Sequence, residues 1–341
     1  PTTADLARSF VAKGGAPQTD GTIAIDLQFI QALLALLGPV EVPDYSVMVT
    51  PENVSELTLE LTRNENYIPG RPVKAFLSYL ARAVMNEVFT APKERWVDLL
   101  RLLDRMAQER HLQVHFVDPE LQSLSAAYGL DGALIGSEAA SGDFLLVADT
   151  SVNSTKLNLI LETEIGLDVA LREDGSASTR VTYSAGNPFP EWREGRDERI
   201  VRALMLDGVY GSYLRVYAPQ QAQLHDVRVD GEIVGAEQVT EELGRKSFGR
   251  YFPVMPGGSA SLQIAYDTPG VVRNEGPLRR YELYIQKEAG TSAPPLTIDL
   301  SLPDGARVVD VRLDGESIGK TLSLATDLRT DRVLEVVYRL R

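Results

Sequence analysis

The sequence contains no cysteine in its 341 residues. That excludes disulfide bridges, thiolate metal sites and a cysteine nucleophile. Histidine is nearly as scarce, with three copies, and tryptophan has two. No apolar run reaches the ~20 residues that span a bilayer. Basic charge is short as well. Lys and Arg number 34 against 48 Asp and Glu, a net charge of −14. The deficit runs through both halves: 11 basic against 20 acidic residues up to Thr155, and 23 against 28 from Lys156 on. A chain acidic throughout has no broad attraction for nucleic acid or anionic lipid. Nucleic acid is therefore not an expected partner, and neither is a membrane contacted by this chain itself. No phosphate loop, dinucleotide fingerprint or Gly-x-Ser-x-Gly elbow occurs. No cofactor is expected.

The most informative stretch present is Asp20 to Val54. Thr22 to Ile25 is short, apolar and partly β-branched, which predicts a strand covered on both faces. Asp26 is placed to cap the helix that follows. Between Leu27 and Leu37 only Gln28 and Gln31 are strongly polar, so that helix should be buried. Gly38-Pro39 stops it. Thr50-Pro51 starts another, with a hydroxyl cap and a proline where a missing N–H costs nothing. Further helices are expected over Val73 to Phe89, with Phe76, Leu77, Leu80, Val84 and Val88 on the apolar face, and over Lys93 to Arg110, with Trp96, Leu99, Leu100, Leu103 and Met106 inward. Leu112 to Val117 reads as a strand. Asp118-Pro119 opens a helix that Gly129 ends. Phe144 to Ala148 reads as the last strand of this part. Strands alternating with helices predict an α/β layer with a mixed sheet.

Near Asn153 the apolar rhythm changes to period 2. Leu157 to Leu171 and Ala177 to Tyr183 flank Asp174-Gly175, a hairpin signal. Short strands recur between Gly, Pro and Asp turns as far as Tyr338, which predicts all-β structure in tandem, Ig-like β-sandwich modules. An internal repeat supports two modules. LHDVRVDGEIVG (Leu224 to Gly235) aligns without a gap to VVDVRLDGESIG (Val308 to Gly319), and Pro219 and Pro303 stand equally far ahead. The first copy carries a longer insert around Glu241 to Gly258. The expected division is an α/β domain over 1–152, a β-sandwich module over 153–270 and a second β-module over 271–341.

Candidate sites are few. His111 and His115 lie on or beside a strand, where four residues span ~13 Å, too far for one ion. No metal site is expected. Asp230, Glu232, Asp314 and Glu316 fit repeated turn chemistry better than calcium. The loop between helices offers the one chemical candidate. Arg63, Arg71 and Lys74 bracket a Gly-Pro-rich turn just before a helix, and basic groups beside free helix amides can take phosphate. A solvated loop is the competing reading of the same residues.

Several segments together resemble the bacterial family called domain of unknown function 4012. They are PTTA at Pro1 to Ala4, DGTIAID at Asp20 to Asp26, LLALLGPVEVP at Leu33 to Pro43 and TPENV at Thr50 to Val54. In the second half YLRVYAP (Tyr213 to Pro219), FPVMPGGSASLQIAY (Phe252 to Tyr266) and YELYIQKEAGT (Tyr281 to Thr291) extend the likeness. The resemblance implies an extracellular or cell-surface protein of the envelope, anchored through an N-terminal segment absent here. It also implies an α/β domain lacking its N-terminal half, with that part of the same protein as a partner. More faintly, Asp20 to Val42 and the loop Arg63 to Lys74 are similar to the LytR–CpsA–Psr phosphotransferases. Ala75 stands where those enzymes carry a glutamine. That likeness implies a glycopolymer partner.

Two functions are expected from this reading. One is a non-catalytic structural or binding protein of the envelope that assembles with copies of itself or with neighbours. The other is a glycopolymer or polyprenyl-phosphate phosphotransferase acting through Arg63, Arg71 and Lys74.

Overall fold

Asp26 caps as its position predicts: its Oδ1 accepts from the Phe29 amide at 2.9 Å. Its Oδ2 lies 2.6 Å from His111 Nδ1, so one carboxylate fixes both the start of a helix and the chain end of a strand far along the sequence. The computed structural model describes residues 2–62, 72, 74–136, 142–153, 155–204 and 207–340. The chain divides into two units. One is Pro1–Ala133 with Arg196–Leu204, and the other is Leu134–Gly195 with Met205–Arg341.

The first unit is a small α/β body. Its elements are α1 (Thr2–Lys13), β1 (Gly21–Ile25), α2 (Leu27–Leu37), β2 (Val40–Val42), β3 (Val47–Val49), α3 (Val54–Leu61), α4 (Ala75–Thr90), α5 (Trp96–Gln108), β4 (Leu112–Phe116) and α6 (Pro119–Ala127). Its core joins Phe29, Ile30, Leu33 and Leu34 of α2 to Phe76, Leu80 and Val84 of α4 and to Leu99, Leu102 and Met106 of α5. Asp118 caps α6, accepting from the Glu120 and Leu121 amides.

Several details differ from the sequence reading. The described strands form two antiparallel pairs, β1 with β4 and β2 with β3, where a mixed sheet was expected. β1 is not covered on both faces: Ile23 is 68% and Ile25 46% exposed. β1 has β4 as its one neighbour among the described residues, and α1 buries no residue of its own. Leu77 of α4 is exposed rather than inward, and the inward stripe of α5 is Leu99, Leu102 and Met106, while Trp96, Leu100 and Leu103 are exposed. A helix with two apolar stripes can bury one against a single layer of neighbours, and the 3-4 spacing of the first selects it. The helix after Thr50-Pro51 begins at Val54. Before it, Thr50 and Asn53 exchange hydrogen bonds between side chain and main chain in a turn.

The second unit is almost entirely β. It contains β5 (Asp143–Ser151), β6 (Glu162–Leu171), β7 (Ala177–Gly186), β8 (Tyr210–Pro219), β9 (Gln223–Val229), β10 (Glu232–Ile233), β11 (Gln238–Glu242), β12 (Arg245–Val254), β13 (Ser259–Thr268) and β14 (Val272–Glu275). β15 (Leu278–Gln286), β16 (Pro295–Ser301), β17 (Arg307–Leu313), β18 (Glu316–Gly319), β19 (Ser323–Asp327) and β20 (Arg332–Arg339) complete it. The short helix α7 (Phe189–Trp192) follows β7, and α8 (Glu198–Leu204) belongs with the first unit. There Arg196 pairs with Glu56, and Arg199 with Glu60 at 3.1 Å.

One sheet runs β10-β9-β13-β7-β6-β16-β19. The other runs β11-β12-β8-β5-β15-β20-β17-β18, with β14 on β15. Their inner faces meet: Phe248 of β12 packs 5.6 Å from Tyr266 of β13, and Phe252 of β12 packs 6.3 Å from Tyr183 of β7, centroid to centroid. The strand Phe144 to Ala148, read as the end of the α/β part, is the middle of β5. It pairs with β8 on one side and β15 on the other. A central strand buried on both faces is apolar throughout, so its sequence matches that of a strand from an α/β layer.

The two repeat copies occupy matching places. β9 pairs with β13 and β17 with β20, with Leu224 opposite Tyr266 and Val308 opposite Tyr338. β8 pairs with β12 as β16 pairs with β19. The first copy puts β9 and β13 in the seven-stranded sheet and β8 and β12 in the other, and the second copy reverses this. The extra element of the first copy is β11. The strands of 153–270 and 271–341 therefore share both sheets: the parallel pair β6–β16 joins them directly, and β5, ahead of residue 153, stands between β8 and β15. At the turns, Asp230 and Asp314 have φ of 49° and 53°, followed by Gly231 and Gly315 at 84° and 85°. Asp230 Oδ1 accepts from the Ser261 amide at 2.8 Å, and Asp314 Oδ1 from the Val333 amide at 2.9 Å. Open space surrounds both glycines, so a methyl group there meets only the left-handed backbone penalty. Gly231→Ala and Gly315→Ala should each cost ~1–2 kcal/mol, and equally so. Urea unfolding of the two variants checks this; a cost at one turn alone would break the equivalence.

Candidate functional site

β15 ends at Gln286, but β5 runs on to Ser151. Beyond the last parallel pair, Gln286 with Leu146, β5 loses its neighbour on that side. Glu288 fills the gap: its Oε2 accepts from the Asp149 amide at 3.1 Å. A side chain thus takes the place of a missing strand partner, which a buried N–H requires.

The Asp149 side chain gathers hydroxyls from both sheets. Ser212 of β8 donates to Oδ1 at 2.6 Å. Tyr183 of β7 and Tyr210 of β8 donate to Oδ2 at 2.8 and 3.1 Å. Burial raises the Asp149 pKa, and the three hydroxyls oppose part of that rise. Burial pushes Glu288 up to about 8, although part of its surface reaches solvent. The Asp149 charge adds to that rise, while the Asp149 amide, Lys287 and Arg215 oppose it. Tyr183 and Tyr210 are raised by burial and by Asp149, so their hydroxyls stay protonated as donors. A pKa of about 8 favours a neutral acid at Glu288 at neutral pH, beside an Asp149 side chain that accepts from three hydroxyls.

Over this cluster lies a cavity of about 400 Å³, lined by Asp149, Ser151, Thr155, Lys156, Asn158 and Tyr210. Ser151 Oγ and Thr155 Oγ1 are 3.2 Å apart and share a hydrogen bond. Lys156 and Asn158 are exposed at the rim. Depressions of about 330 and 500 Å³ lie on the outer face of the seven-stranded sheet, near Asp168 and Asp299 and near Glu164 and Pro295. Those are lined chiefly by side chains that point away from the core, whereas the Asp149 cavity reaches a polar cluster spanning both inner faces.

The residues singled out from sequence are elsewhere. Arg63 and Arg71 lie outside the described residues. Lys74 is exposed at the residue before α4, and its side chain makes no capping hydrogen bond. His111 and His115 contact different acids, Asp26 and Asp5. His225 lies 2.8 Å from Asp267, which Arg172 also grips with two hydrogen bonds. Among the described residues no three His, Asp or Glu side chains are placed to hold a metal ion. Sequence reasoning missed Asp149, Glu288 and the two tyrosines. One signal was available: acids at both ends of an apolar run, Asp143 and Asp149, fall where a buried strand has to partner them.

The model of the family described as protein of unknown function, DUF4012, matches residues 1–63. No curated protein matches the chain. Among solved structures it is similar to a putative nutrient binding protein from Legionella pneumophila, with 9% identity and a TM-score of 0.34 over 58% of this chain and 71% of that one. It is similar to an M1 zinc metallopeptidase from Deinococcus radiodurans, with 12% identity and a TM-score of 0.25 over 52% and 42%. A leukotriene A4 hydrolase from Saccharomyces cerevisiae gives 13% and 0.29 over 54% and 30%. The chain thus spans less than half of either enzyme. Likenesses this loose carry no activity to this chain.

Proposed function

We propose, starting from the DUF4012 family that residues 1–63 match, that this protein is a non-catalytic binding component of the bacterial cell envelope. Its β-rich unit would hold a small polar ligand in the Asp149 cavity. The observation that carries this reading is the cavity itself: a carboxylate held by three hydroxyl donors, with a rim of hydroxyl, amide and ammonium groups. Such convergent polar groups fix a ligand's orientation. Asp149 is committed to structural donors, which suits holding better than proton transfer. Among the described residues the seven- and nine-stranded sheets also end in edge strands with no further neighbour, which suit assembly with envelope neighbours.

A panel of small polar molecules, screened against the full chain by ligand-observed NMR and followed for product, tests the reading. Binding without turnover is the expected result. Turnover of any bound molecule would replace it with an enzyme, and a polyprenyl-linked substrate belongs in the panel for that reason. Fractionation of cells expressing the tagged full-length gene should place the protein with the envelope.

A further inference from the structure

The open hydrogen-bonding positions of the Asp149 cavity can be counted. A carboxylate offers about four lone-pair positions. Tyr183 and Tyr210 take both on Oδ2, and Ser212 takes one on Oδ1. One acceptor position on Oδ1 is left. Ser151 and Thr155 share one hydrogen bond between two hydroxyls, so one O–H of the pair is not used between them. Asn158 adds an amide and Lys156 an ammonium at the rim. Of the charged residues that line the cavity, Lys156 places a positive charge at the rim and Asp149 an acceptor at the floor.

The geometry points to a uronic-acid-type ligand, a hydroxyl-bearing anion of monosaccharide size, with its carboxylate at Lys156 and one hydroxyl donating to Asp149 Oδ1. This inference rests on the binding reading above and gives it a ligand class. A cavity of about 400 Å³ is at the small end of small-molecule sites, which run from ~300 to ~1,000 Å³. A ligand hydroxyl brings one donor and uses it fully on the one open acceptor. A ligand ammonium brings three donors and would leave two of them without a carboxylate partner there. The choice therefore falls on the hydroxyl at the floor and the anion at the rim. The Ser151–Thr155 pair and Asn158 then face the remaining ring hydroxyls.

Calorimetry on the full chain at pH 7 with glucuronate, glucose and glycine tests the assignment. Glucuronate is expected to bind, glucose to bind ~tenfold more weakly for want of one charge-assisted hydrogen bond, and glycine not to bind. Lys156→Gln should bring glucuronate down to the level of glucose. Lys156 is exposed, so this variant keeps the fold, and Lys320→Gln on the exposed surface should change nothing. Glucose binding as tightly as glucuronate would overturn the anion assignment while leaving a binding site. Glycine binding in place of glucuronate would overturn the ligand class in the same way. Silence from all three overturns this inference, and the wider panel then decides the binding reading on its own.

Discussion

Replacing Arg245 by alanine is expected to cost the β-rich unit ~3–5 kcal/mol, the scale of breaking a buried charged network. Arg245 is 1% exposed, among the largest fully buried side chains. Its Nε and Nη2 donate to the Ile135 carbonyl at 3.1 and 2.9 Å, and Nη2 also donates to the Gly136 carbonyl at 3.1 Å. The guanidinium lies 3.8 Å over the Phe144 ring. Alanine takes the Arg245 donors away from two carbonyls, opens a cavity and removes the positive charge near Asp143. That acid is 1% exposed and is already pushed up to about 6 by burial, with the Tyr281 hydroxyl, the Phe144 amide and the Arg245 charge opposing the rise. Tyr281 donates to it at 2.8 Å. Without Arg245 its pKa should climb further. Arg245→Met fills most of the volume but restores no donor, so it should recover only part of the loss. Urea unfolding of both variants measures the difference. Arg199→Ala, which breaks exposed ion pairs with Asp197 and Glu60, is the control and should leave the curve unmoved. An equally mild result for Arg245→Ala would mean the loop at Ile135 holds without it.

Glu288→Gln is expected to flatten the pH dependence of stability on the alkaline side. The Glu288 pKa is about 8 in the folded protein against 4.5 for the unreacted side chain. A carboxyl raised by folding is no burden while both states are protonated, below about 4.5. Above that the unfolded chain ionises first, and stability falls as pH rises until the folded group ionises too, near 8. One pKa unit is worth about 1.4 kcal/mol, so the total loss is on the order of 3–5 kcal/mol. Glutamine keeps a carbonyl oxygen for the Asp149 amide and has no proton to lose. Glu288→Gln should therefore match the native protein at pH 4.5 and exceed it by ~3–5 kcal/mol at pH 9. Asp143 adds a smaller loss of the same sign between 3.8 and about 6. Asp267 works in the opposite direction. Burial alone would raise it, but Arg172 and His225 hold it down at about 2, so its contribution is lost as pH falls from 3.8 toward 2. Together these groups put the stability optimum of this unit on the acid side of neutrality. Denaturant midpoints at pH 4.5, 6, 8 and 9 read the slope directly; a native profile that stays flat from 4.5 to 8 would show that Glu288 is ionised throughout.

The sequence by itself determined much of the local order. The Asp26 and Asp118 caps, the β6–β7 hairpin at Asp174-Gly175 and the two Asp-Gly turns follow from chemistry within a few residues of each position. The repeat was legible for the same reason, because its turns demand a left-handed backbone wherever they stand. Tertiary structure alone decided what depends on neighbours distant in the chain. An apolar strand such as Phe144 to Ala148 reads alike in an α/β layer and in the centre of a β-sheet, and pairing with β8 and β15 settled which it is. Ile23 and Ile25 are apolar in either case; their exposure follows from how few elements cover β1. The Asp149 cluster joins residues from β5, β7, β8 and the end of β15, some more than a hundred positions apart. Burial and like charge act through space, so no spacing along the chain announces that Asp149 and Glu288 will share one site.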